Sequence, residues 1–87
     1  MKIRGATFGD PAAVAEEIVR HRAKHAERLD VYREIEKRDF PAPAALTGQR
    51  LHQYLVLRGG IRVEAGQVEW FDEVLRAMDA ALHPKDA

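Results

Sequence analysis

The chain has 87 residues, with 14 Lys and Arg against 14 Asp and Glu and no Cys, which is the size of one small domain and excludes a multidomain enzyme. Hydrophobic residues at 46% and charged residues at 32% are the balance of a folding chain rather than a disordered one. A net charge of zero draws it neither to nucleic acid nor to anionic lipid, and the lack of a membrane-length or signal-peptide apolar run points to a cytoplasmic protein.

Residues 1–9 carry Ile3 and Phe8 without a clear period and read as a fragment of strand or as the stub of a preceding helix. Helix one is expected over 10–39. Asp10 is placed to cap it, and Pro11 at the first helical position gives up an N–H that has no partner there. Val14, Ile18, Ala26, Leu29, Tyr32 and Ile35 fall near one face, and Glu16/Arg20 and Glu34/Arg38 are oriented for i,i+4 pairing on others. Phe40-Pro41-Ala42-Pro43 ends the pattern, because each proline lacks a donor and pushes its predecessor out of the α region. The connection then runs over 40–46.

Helix two is expected over 47–82, with Thr47 as N-cap. Leu51, Tyr54, Leu57, Ile61, Ala65, Val68, Phe71, Leu75, Met78 and Leu82 advance by three or four residues at a time, so one face stays apolar throughout. Gly59-Gly60 interrupts it at a cost of roughly 2 kcal/mol relative to two alanines if the helix continues. Either the helix breaks into 48–58 and 61–82, or it runs through and the bare backbone admits a close neighbour. The unbroken register of Leu57 and Ile61 favours continuity.

Helices of these lengths span roughly 42 and 52 Å, whereas a compact globule of this size is only about 30 Å across. The expected fold is therefore all-α, a long antiparallel helical hairpin. A lone hairpin has a seam but no interior, and Val19, Val31, Leu55, Val63, Trp70 and Val74 would flank that seam exposed. Association into a homodimer, two hairpins forming a four-helix arrangement, covers them. The expected interface is the stripe Leu51, Tyr54, Leu57, Ile61, Ala65, Val68, Phe71, Leu75, Met78 and Leu82, together with Trp70.

Residues able to carry chemistry are few. His21 and His25 are i,i+4 neighbours, but the run His-Arg-Ala-Lys-His lacks the Glu of a zinc-protease helix and is flanked by cations, so no metal site is expected. Ser and Cys are both absent, which removes the two commonest covalent nucleophiles. No catalytic residue and no cofactor are expected. Arg20, Arg22, Lys24, Arg28, Arg33, Lys37 and Arg38 are interleaved with Glu27, Asp30, Glu34 and Glu36, the pattern of an ion-paired face rather than a phosphate-binding one. Trp70, the only Trp, reads as an interface anchor and is the candidate contact for a small hydrophobic effector.

Leu57-Arg58-Gly59-Gly60-Ile61-Arg62-Val63-Glu64, followed by Glu69-Trp70 and Glu73-Val74-Leu75, resembles the last long helix of PadR-family transcriptional regulators, in the virulence-activator-like C-terminal domain. Phe8-Gly9-Asp10-Pro11 and the helix up to Asp39 resemble the segment preceding it, and the likeness covers roughly residues 1–82. The resemblance implies a helical dimerisation domain that sits against the winged-helix DNA-binding domain of a full-length regulator and helps form an effector pocket. The winged helix has no counterpart in these 87 residues, so no direct DNA binding by this chain is expected, and the chain reads as an excised or naturally short dimerisation domain. The other reading is a stand-alone helical adaptor that binds a partner helix or a small hydrophobic ligand.

Overall fold

The computed structural model describes residues 10–82. Two α-helices, α1 (Pro11–Asp39) and α2 (Gly48–Leu82), pack antiparallel and are joined by a 3-10 turn at Pro43–Ala45. There is no strand among the described residues. The expected element over 1–9 lies outside them.

α1 starts as its sequence dictates. Asp10 Oδ1 accepts from the Ala13 N–H at 3.2 Å, Pro11 opens the helix, and the Val14 N–H reaches the Asp10 carbonyl. It ends where Phe40 donates its N–H to Glu36 O, with Lys37 and Arg38 in the last turn facing the negative pole of the helix dipole. The exposed ion pairs differ from expectation. Arg20 pairs with Glu17 rather than Glu16, and Glu34 pairs with Lys37 while Arg38 turns to Asp39. Exposed pairs are each worth so little that neighbouring partners compete almost evenly.

α2 runs for 35 residues, straight through Gly59-Gly60. The close approach is made by Gly60 alone: a Cβ built there would stand 3.1 Å from Cε2 of Tyr32, whereas one at Gly59 would meet nothing within 4 Å. At the start of α2, the Thr47 carbonyl accepts from the Leu51 N–H, and Gly48 takes a left-handed φ of 60° that a side chain would strain.

The turn is clamped by Phe40, buried at 6% exposure. The Tyr54 ring lies 5.4 Å from it, the Arg50 guanidinium sits 4.3 Å over its face, and Arg50 also donates to the Asp39 carbonyl at 2.8 Å. The rest of the molecule is thin. Its radius of gyration is 18.8 Å and its extents are 56 × 32 × 16 Å, against about 12 Å for a compact chain of this length. Leu29, Phe40 and Ile61 are its buried hydrophobic residues, and no described side chain is fully enclosed. No described helix is long and apolar enough to cross a membrane.

Candidate functional site

The seam between the helices follows a strict heptad on α2. Tyr54, Leu57, Ile61, Glu64, Val68, Phe71, Leu75 and Met78 alternate steps of three and four residues, and each is buried or half-buried. The apolar stripe read from sequence substitutes Ala65 for Glu64 at its centre. In the structure Glu64 takes the seam position at 6% exposure, and Ala65 beside it is half-buried. A carboxylate in a heptad core is unusual, and its partners explain why it is tolerated.

Glu64 Oε1 lies 2.5 Å from His25 Nδ1, and Oε2 accepts from Arg28 at 3.3 Å. A carboxylate only accepts, so the Nδ1 nitrogen of His25 carries the proton. His25 is held in turn by the Phe71 ring at 5.6 Å, against which His21 also stacks at 6.3 Å, and Phe71 packs at 5.1 Å on Trp70. The two histidines thus face Phe71 and separate carboxylates, Glu17 for His21 and Glu64 for His25. Their ring positions serve helix packing.

Two further ion pairs fasten the seam. Glu36 Oε2 accepts from Tyr54 OH at 3.2 Å and from Arg58 at 3.1 Å. Nearer the open end, Arg22 forks onto Asp72 at 2.5 and 3.3 Å. The Arg22 hydrogen bonds, aided by its charge, hold the Asp72 carboxyl below the usual carboxylate range, and Asp72 raises Arg22 reciprocally. Asp39 is lowered in the same way by Arg38. No buried side-chain polar atom among the described residues lacks a partner.

The hairpin leaves a second row on α2 only partly covered. Val56, Gly60, Val63, Gln67, Trp70 and Val74 succeed one another at steps of four and three residues, with Val56 at 65%, Val63 at 60% and Trp70 at 55% exposure. Of the six flanking residues expected on the surface, Val19, Val31, Leu55, Val63 and Trp70 are exposed and Val74 is half-buried. Among the stripe residues, Ile61 is 3% exposed and committed to the seam, whereas Leu82 at the far end is 48% exposed. Beside Gly60 the row opens into an apolar groove of about 390 Å³ lined by Tyr32, Ile35, Phe40, Gln53, Val56, Leu57 and Gly60. Charged residues line two other depressions, among them Arg33, Glu36 and Lys37 in one and Lys24, Glu27 and Arg28 in the other. No group of three or more His, Asp or Glu able to hold a metal ion occurs among the described residues.

Residues 1–79 match the family described as Virulence activator alpha C-term. The chain belongs to that family. Over 78 residues it is also 53% identical to the "Probable transcriptional regulator Rv1176c" of Mycobacterium tuberculosis (strain ATCC 25618 / H37Rv), a match covering 90% of this chain and 41% of the relative. This family member thus spans less than half the length of that relative, and is related to the C-terminal domain of a transcriptional regulator. Glu64, which sequence periodicity alone passes over, could have been found by holding the seam to alternating three- and four-residue steps. The Gly60 groove could not, because it depends on where Tyr32 and Phe40 come to rest.

Proposed function

We propose that this chain is the non-enzymatic dimerisation and effector-sensing domain of a PadR-like transcriptional regulator. The observation that carries the reading is the exposure of Val56, Val63 and Trp70 along one row of α2, on a hairpin too thin to have an interior, in a chain of a regulator C-terminal family. Large apolar residues exposed along one helix face are characteristic of an interface. The second copy docks on that row, on Leu82 and on the outward edges of the half-buried stripe residues, giving a homodimer of four long helices. In a full-length regulator the pair would fix the separation of two winged-helix domains, whose reading heads must match half-sites about one turn of DNA apart. The groove beside Gly60, about 390 Å³, is within the size range of small-molecule sites, and an effector there would act by its differential affinity for two packings of the hairpins.

Sedimentation equilibrium of this chain tests the reading. A dimer at micromolar concentration is expected. A monomer that keeps its helicity at that concentration refutes it.

A further inference from the structure

The groove of about 390 Å³ is lined by residues of a single hairpin. Tyr32 packs on Gly60 and forms one wall, and buried Phe40, beside the turn, forms another. Charged residues line the two other depressions, but none lines this one. Arg50, the cation beside Phe40, is committed: its guanidinium lies over the Phe40 ring and donates to the Asp39 carbonyl and, at 3.0 Å, to Gln53 Oε1. That last bond sets the polarity of the groove. A guanidinium only donates, so the Gln53 oxygen faces Arg50, and the amide NH2 is left as a donor with no protein partner among the described residues. With the Tyr32 hydroxyl, it is the polar side-chain group of an otherwise apolar lining. Apolar walls with one or two placed polar groups are the composition of a small-molecule site.

We infer that the groove binds an uncharged aromatic molecule bearing a hydrogen-bond acceptor, such as an aryl ketone, whose oxygen takes the Gln53 NH2, and that it rejects aromatic carboxylates. The proposal rests on the effector-sensing reading and names its ligand class. The Tyr32 and Phe40 rings favour an aromatic occupant. A carboxylate entering the groove leaves water and finds no free cation in its place, a far larger cost than desolvating a ketone. A purely apolar molecule would cover the Gln53 amide and leave it unpaired. The occupant touches Tyr32 on α1 and Val56 on α2, so it ties the helices together beside the turn and stabilises the hairpin by mass action.

Three naphthalenes of nearly equal size, with an acetyl, an ethyl or a carboxylate group at the same ring position, test this by amide chemical-shift titration of the folded chain, with sedimentation of the same samples. Acetylnaphthalene is expected to move the amides of Tyr32, Phe40, Gln53 and Val56, with a Kd on the order of 100 μM. Ethylnaphthalene should bind about 5-fold more weakly and naphthoate at least about 10-fold. Gln53→Leu, at an exposed position, should abolish the preference for acetyl over ethyl while ethylnaphthalene still binds. The proposal is overturned if no probe moves these amides, if naphthoate binds as tightly as the ketone, or if the acetyl preference survives Gln53→Leu. Groove amides that move on dilution across the dimer midpoint, and not with any probe, make the second copy the occupant and overturn it as well. All of these results leave dimerisation standing. A monomer that still binds the ketone refutes the dimer reading and keeps this site, because every lining residue belongs to one chain.

Discussion

Replacing Glu64 and replacing its partner His25 should have opposite effects on stability. The Glu64 side chain is 8% exposed and occupies a heptad core position, held by His25 at 2.5 Å and more loosely by Arg28 at 3.3 Å. His25→Ala leaves a buried carboxylate with only its longer partner and should cost about 1–3 kcal/mol. Glu64→Leu puts an apolar side chain between Ile61 and Val68, where burial is worth about 1.5–3 kcal/mol. The partners it releases, His25 at 23% and Arg28 at 48% side-chain exposure, can both turn to water. Replacing a buried ion pair by a hydrophobic residue is often stabilising for this reason. A net gain of about 1–2 kcal/mol is expected, with the midpoint of thermal unfolding rising by roughly 4–8 °C per kcal/mol. Urea unfolding followed by circular dichroism measures both, at one fixed protein concentration because association shifts the midpoint. The His25→Ala cost should also shrink when Glu64→Leu is already present, leaving only the lost contact of the imidazole with Phe71. If Glu64→Leu lowers stability as much as His25→Ala, or the His25→Ala cost is undiminished in the double variant, the account of the seam is wrong.

Gly59→Ala should stabilise the hairpin by about 1 kcal/mol, since helix propensity improves and the new Cβ meets nothing. Gly60→Ala should fall short of it by at least about 1 kcal/mol because Tyr32 stands 3.1 Å away, and equal gains in parallel melts would rule out that close approach. Gly48→Ala should destabilise by about 1 kcal/mol, the cost of a left-handed backbone for a residue with a Cβ; an unchanged melting temperature would contradict it. Asp72→Asn removes a carboxyl lowered by Arg22. The contribution of such a group is present above its unfolded pKa and lost as pH falls through the folded one, so the variant should be weaker at neutral pH and converge on the parent below about pH 4. A constant difference down an acid titration would show that the Arg22 fork is not its cause.

Helix existence was legible because its signals are local. Asp10-Pro11 starts α1, Phe40 and the prolines stop it, and the apolar stripe of α2 keeps its period across two glycines. The hairpin followed from lengths that no compact globule could contain. Glu64 was missed for a physical reason: apolar periodicity scores a carboxylate as surface, whereas here His25 and Arg28, nearly forty residues away in sequence, satisfy it within the seam. Gly59 and Gly60 look alike in the sequence, and only the crossing of Tyr32 distinguishes them. The choice of Glu17 over Glu16 by Arg20 is likewise invisible, since such exposed pairs differ by less than thermal energy.

The clamp around Phe40 has a kinetic consequence. Arg50 reaches Asp39 across 11 residues of chain, Tyr54 reaches Glu36 across 18 and Arg58 across 22, Glu64 reaches Arg28 across 36 and His25 across 39, and Arg22 reaches Asp72 across 50. Each bond encloses the one before it. Once the turn has closed, every later contact therefore joins segments already brought near, and the loop-closure entropy it costs is that of the added residues rather than of the whole span. The hairpin should form as a zipper from Phe40 outward and fray from Asp10 and Leu82 inward, with amide exchange slowest beside the clamp and progressively faster toward the open end.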